Sequence, residues 1–170
     1  DISRIGSSQT KALLMGILVL KLQEYRMQQR EDEIDNKINQ TKGNQLRHIT
    51  VLEEAHNLLK ATSTDQHQEE ANLQGKSVEM ITNSIAELRS FGEGFIIADQ
   101  APGLLDKAVI RNTNTKIILR LPDEEDRKLV GKAANLNDDQ IVELAKLHTG
   151  VAAVYQNDWL EPVLCQIDEY

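Results

Sequence analysis

Three short apolar runs constrain this chain most: HITVL at 48–52, GFIIAD at 94–99 and TKIILRL at 115–121. Each is too short for a buried helix, rich in β-branched residues and apolar without alternation, the pattern of strands covered on both faces of a parallel sheet. Segments of helical length separate them. Ser77 to Phe91 has apolar residues at 78, 81, 85 and 88 and meets a stop signal at Gly92. Pro102 to Arg111 predicts a short helix, Asp123 to Ala134 a helix with an acidic first turn, and Asn137 to Leu147 a helix with an Asn cap. This alternation predicts an α/β fold, a mostly parallel, doubly wound sheet flanked by helices.

The two ends of the chain read differently. Ser7-Ser8-Gln9-Thr10 precedes ALLMGILVLKL, so a helix is expected from about 9 to 31, and its apolar residues cover nearly the whole circumference between 12 and 20. Such a helix is expected to be buried on several sides. Residues 31–46 read as an exposed polar connection, and Lys60 to Lys76, KATSTDQHQEEANLQGK, as a long mobile surface loop. In GVAAVYQNDWLEPVLCQID two apolar arms flank Asn157-Asp158 with no room for a helix, which predicts an antiparallel β-hairpin. Pro162 in its second arm places that arm at a sheet edge, because proline cannot donate to a ladder.

A chain of 170 residues suits one domain spanning 1–170, and 40% hydrophobic residues suffice for an aliphatic core. The net charge of -8 leaves no basic footprint, so any contact with nucleic acid must be local. Cys165 is the single cysteine; an intramolecular disulfide is excluded, and a reducing, cytoplasmic setting is expected. The apolar stretch from Ala12 to Leu22 falls short of the roughly 20 residues needed to span a bilayer. The chain opens at Asp1 without a methionine, as expected of a piece of a longer protein.

The chemistry gathers where the first run ends, in ITVLEEAHNLL at 49–59. A strand ending in Glu53 and Glu54 puts two carboxylates at the carboxyl edge of the sheet, where open α/β folds bind ligands. One can hold Mg²⁺ while its neighbour orients or deprotonates a water for attack on a γ-phosphate. The plainer alternative is the solvated first turn of a following helix, where negative charge is favoured in any case.

Further segments accompany this one in order: AELRSFGEG, FIIADQAP, LLDKAVIRNTNTKIILRLPDEED and GVAAVYQNDWLEPV. Together with ITVLEEAHNLL they resemble the HerA/FtsK-type branch of hexameric P-loop ATPases, most closely HerA-like DNA translocases, through most of residues 1–167. The resemblance implies a P-loop NTPase (RecA/FtsK-like) fold, ATP and Mg²⁺ as cofactors, a homohexamer, DNA as the substrate and a nuclease or other effector as a possible partner. It implies Glu53 as a Mg²⁺ ligand, Glu54 as the carboxylate that polarises water, Gln100 as a γ-phosphate sensor and Arg89 as an arginine finger toward a neighbouring subunit. Each has an ordinary alternative: a turn-capping amide for Gln100 and a solvated helix-end cation for Arg89. Arg111 and Arg120 compete for the finger role, and His56 suits either a carboxylate-orienting role or a structural hydrogen bond.

The departure from the family pattern is the Walker A loop. No G-x-x-x-x-G-K-[ST] occurs in these residues, and GSSQTK at 6–11 lacks the second glycine and the Lys-Ser/Thr pair. The resemblance therefore corresponds to the C-terminal part of an ATPase domain, expected to be inactive on its own because the backbone cradle for the phosphates is missing. A non-hydrolysing ATPase-like scaffold is the main competing reading. A carboxylate-bridged metal protein is weaker, since Glu53-x-x-His56 has no second Glu-x-x-His, and a zinc hydrolase lacks His-Glu-x-x-His. Lys60 to Lys76 is the place to look for a DNA-gripping loop, although Asp65, Glu69 and Glu70 offset its lysines.

Overall fold

In the computed structural model, which describes residues 8–35, 46–60 and 68–168, the first two apolar runs form parallel strands. Strand β1 spans His48–Glu53 and β2 spans Glu93–Ala98, paired in register from His48 opposite Glu93 to Glu53 opposite Ala98. Parallel neighbours need a long crossover, supplied here by helix α2, Gln68–Leu88. Helix α1, Ser8–Asp35, packs on α2 and on the turns that follow β1 and α2. These elements form the first of two compact units, Asp1–Asp99; the second is Gln100–Tyr170.

A buried carboxylate joins three elements of the first unit. Glu93 has no exposed side-chain surface, and its Oε2 accepts from Arg26 Nε of α1 at 3.0 Å. Its Oε1 lies 2.7 Å from His48 Nδ1 and accepts from the Thr50 hydroxyl at 2.6 Å. His48 and Thr50 are two residues apart on β1 and so point to one face of the sheet. Burial alone would push the Glu93 carboxyl up, but the Thr50 hydrogen bond, the His48 ring and the Arg26 guanidinium hold it below its ordinary value.

Apolar packing supports the same face. Leu52, Ala55, Leu58 and Leu59 are buried around the end of β1, as are Val78, Ile81 and Leu88 of α2. The helix closes in one 3₁₀ turn, Arg89–Phe91, and Gly92 reverses the chain at φ 79°. That left-handed conformation is cheap only for glycine. The Gly92 carbonyl then accepts from Arg47 N at 2.7 Å, so one residue ends α2 and aligns the start of β1.

Several sequence expectations are corrected here. Helix α1 is longer than 9–31 and is not buried all round: Gly16 and Val19 are buried, whereas Leu13 and Leu18 are 64% and 50% exposed. A helix resting on one neighbouring helix and two turns covers a single stripe, and the rest of its apolar surface stays outside. Likewise Ile49, Val51 and Ile96, on the opposite face of β1 and β2 from Glu93, are about half exposed, so this sheet segment lacks the expected double cover. Residues 68–76, expected as loop, are helical. QEEANLQGK holds good helix formers, and continuity with the amphipathic segment behind it outweighs its polarity. The rest of the expected connections, residues 36–45 and 61–67, lies outside the described residues.

In the second unit a 3₁₀ turn, Pro102–Leu104, precedes α3, Lys107–Asn112, and the third apolar run becomes β3, Thr115–Ile118. Helices α4, Glu124–Ala133, and α5, Asp138–Glu143, follow: α4 has the expected acidic first turn and is capped by Asp123, which accepts from Asp126 N, and α5 starts at the expected Asn137 cap, which forms a capping box with Gln140. The hairpin is present as β4, Val151–Gln156, and β5, Val163–Gln166, with Pro162 just before the edge strand. β3 pairs antiparallel with β4, which corrects its expected place in a parallel sheet. Its alternating burial, with Lys116 and Ile118 inside and Ile117 outside, is that of a half-covered strand. Ile118, Ala134, Leu136, Ile141, Leu144 and Ala153 form the core beneath it.

Two measurements test this account. Glu93→Gln should lower stability by about 2–3 kcal/mol, because it leaves Arg26 facing a neutral amide inside the protein. Since the folded carboxyl sits below its ordinary value of 4.5, the wild-type contribution is complete above that pH and is lost as pH falls through the folded pKa. Urea melts across the acid range should show a steeper acid decline in wild type than in the variant. Separately, a Cβ on Gly131 would sit 2.6 Å from Ile141 Cγ1, a stiff buried side chain. Gly131→Ala should therefore destabilise by about 1–2 kcal/mol despite its better helix propensity.

Candidate active site at the carboxyl end of the parallel strands

The turn after β1 is fixed by its apolar residues and displays its polar ones. Ala55 and Leu59 are fully buried, and Leu58 N and Leu59 N both donate to the Ala55 carbonyl, at 2.9 and 2.8 Å. Between these anchors the segment Ala55–Asn57 makes one 3₁₀ turn. Glu53, the last residue of β1, is exposed. Glu54 has a half-exposed side chain and a left-handed backbone, φ 49° and ψ 47°. For a residue that is neither glycine nor asparagine, this conformation costs on the order of 1–3 kcal/mol and persists only when neighbours over-determine it.

Those neighbours are identifiable. The Glu54 carbonyl accepts from Asn57 N at 3.0 Å and from Asn57 Nδ2 at 3.1 Å. Across the sheet, β2 ends at Ala98 opposite Glu53, so Asp99 emerges beside the turn that begins at Glu54. The Asp99 side chain is 3% exposed, and its Oδ2 accepts from the backbone N of His56 at 2.7 Å. His56 Nδ1 lies 2.9 and 3.1 Å from the two Asp99 oxygens, and 3.6 Å from Glu54 Oε2. Glu54, His56 and Asp99 thus form one polar cluster at the carboxyl edge of a parallel strand pair.

The cluster includes some of the expected residues and leaves others apart. Glu54 is in it, and His56 joins through Asp99, which sequence reasoning passed over. The signal was present: FIIAD, like ITVLE, is an apolar strand ending in an acid, and parallel pairing brings such ends together. Gln100 follows Asp99 in the chain, is exposed and opens the second unit. Arg89 is exposed in the turn before β2, at the opposite end of that strand from Asp99. Six strand residues at about 3.3 Å each hold Arg89 far beyond side-chain reach of Glu54 in the same chain. Arg111 lies in the last turn of α3 and Arg120 follows β3, both exposed in the second unit.

The donor chemistry suits a hard cation in part. Mg²⁺ takes oxygen ligands and keeps several waters, so the adjacent, solvent-facing carboxylates of Glu53 and Glu54 fit it. Asp99 is committed to His56, and an imidazole nitrogen is a poor Mg²⁺ ligand.

No protein-family model matches the chain. It is 35% identical over 138 residues to the DNA double-strand break repair helicase HerA of Sulfolobus acidocaldarius, which covers 80% of this chain and 26% of that relative. The chain therefore spans about a quarter of the length of that relative. Among solved structures, VirB4 of Thermoanaerobacter pseudethanolicus superposes with a TM-score of 0.56 at 15% identity, over 75% of this chain and 32% of that one. The genome packaging NTPase B204 from Sulfolobus turreted icosahedral virus 2, in complex with AMPPCP, gives 0.53 at 14% identity, over 72% and 53%. At such identities the likeness is one of fold, and that fold is the P-loop NTPase fold expected from the sequence. Within this class the sequence is similar to HerA helicases, at 35% and 31% identity over 80% of this chain for two of them.

The backbone at Glu54 gives a test that is independent of activity. Glu54→Gly should raise stability by about 1 kcal/mol in chemical denaturation, because it relieves a left-handed side-chain clash. An unchanged or lower midpoint would mean that the turn carries no such strain.

Proposed function

We propose that the chain is the Walker B and sensor part of an ATP-hydrolysing motor, one that works as a hexamer and couples turnover to movement or processing of DNA. The observation that carries this reading is Glu54, a half-exposed carboxylate held in a costly backbone conformation at the carboxyl edge of a parallel strand pair. Similarity to a HerA helicase supplies the class of reaction, and a neighbouring structure with a bound ATP analogue supports nucleotide use. Glu54 takes up the proton of the attacking water and fixes its direction of approach. Glu53 would help hold Mg²⁺, which would supply neutralising charge for the β- and γ-phosphate oxygens. Gln100 reads the γ-phosphate through its amide. Arg89, too far from the Glu54 of its own chain, acts on the site of an adjacent subunit as an arginine finger.

In the complete natural chain that contains these residues, Glu54→Gln should lower DNA-stimulated ATP turnover by about 100-fold or more with ATP still bound. Turnover close to wild type would favour a scaffold that does not hydrolyse nucleotide. Glu54→Gln and Arg89→Ala subunits, each inactive alone, should recover activity when mixed, since the intact Glu54 of one then meets the intact Arg89 of a neighbour. No recovery on mixing would overturn a role in trans.

A further inference from the structure

We propose that Asp99 is a positioning residue for Glu54, acting through His56 to link the tip of β2 to the catalytic carboxylate at the tip of β1. This rests on the role proposed above for Glu54.

Two independent contacts run from Asp99 to one neighbour. Its Oδ2 accepts from the His56 backbone at 2.7 Å, which fixes the peptide two residues beyond Glu54. Both of its oxygens also approach His56 Nδ1, at 2.9 and 3.1 Å, which locks the ring. Backbone and ring of His56 are therefore held by the same carboxylate, and that carboxylate is almost wholly removed from solvent. The ring in turn lies 3.6 Å from Glu54 Oε2, close enough for its Nδ1 to bias where that carboxylate points. A left-handed residue survives only where its surroundings leave no easier path. Here Asn57 holds the Glu54 carbonyl from within the turn, and Asp99 holds the turn from the neighbouring strand.

The arrangement is better suited to positioning than to coordinating an ion. Were the three side chains to close on a cation, Asp99 would have to surrender its hydrogen bonds to His56, and the turn would lose that hold from the neighbouring strand. Asp99 also immediately precedes Gln100. A shift of the β2 tip is passed through Asp99 to the direction of Glu54. The coupling element is thus a single carboxylate with a neighbour on each side, one in sequence and one in space.

The test uses the complete natural chain with DNA, measuring kcat and KM for ATP together with thermal midpoints. Asp99→Ala should lower kcat by about 10- to 100-fold with KM within about twofold, the pattern of a lost orientation and not of lost binding. Asp99→Asn keeps an oxygen for the His56 backbone while disturbing the ring, and should fall between alanine and wild type. His56→Ala should resemble Asp99→Ala, and the double variant should be no worse than either, because residues acting as one unit are not additive. In a Glu54→Gln background neither change should cost further activity. Multiplicative losses in the double variant, a raised KM with normal kcat, or a loss that simply follows the thermal midpoint would overturn the proposal. Should Asp99→Ala fail to fold, Asp99→Asn alone carries the kcat comparison. Normal turnover in Glu54→Gln removes the reading of Glu54 itself. Inactive Glu54→Gln beside fully active Asp99 variants removes only the positioning role.

Discussion

The first unit depends on the buried carboxylate of Glu93. It lies at the first residue of β2, and from there it holds Arg26 of α1 and both His48 and Thr50 of β1. A carboxylate without surface exposure is tolerable only when both oxygens are hydrogen-bonded, and three donors engage them. Removing any one donor would leave a charge with too little compensation, so helix and strands are held as a set. Because parallel register is copied from one end of a strand pair to the other, fixing His48 opposite Glu93 also fixes Glu53 opposite Ala98. The knot at the amino end thereby sets the alignment of the polar tips at the carboxyl end.

At those tips the constraint changes from charge burial to backbone conformation. Glu54 is turned into the left-handed region by the apolar anchors Ala55 and Leu59 and by hydrogen bonds at Asn57 and Asp99. The first unit thus spends stability at one edge of its sheet that its interior supplies. That is the distribution expected of a site built for geometry, since a relaxed turn in this position would aim the carboxylate elsewhere.

The sequence conveyed what is local. The β-branched runs located β1, β2 and β3, the acidic first turn from Asp123 and the Asn137 cap located α4 and α5, and the paired arms around Asn157-Asp158 located the hairpin. Non-local facts were less visible. A continuous apolar run does not say whether its neighbour runs parallel, so β3 was misread, and an apolar helix does not say how many elements surround it, so α1 was expected deeper than it lies. Glu93 carried no signal, because a glutamate after a glycine turn looks like any surface acid until Arg26, His48 and Thr50 arrive around it. Glu53 and Glu54 were legible since their order along one strand is enough to place them at a sheet edge. Asp99 needed a second strand to acquire meaning.

The parallel pairing of β1 and β2 also has a consequence for how this protein is made. The turn holding Glu54 and the carboxylate that steadies it are joined only through the long α2 crossover, so neither finds the other until that helix has docked and the strands have registered. Contacts of such sequence separation form late in folding. A chain stalled before that step would hold ITVLEEAHNLL as an ordinary acidic segment with no directed carboxylate. The cluster of Glu54, His56 and Asp99 would then arise together with completion of the fold, so half-made molecules lack it.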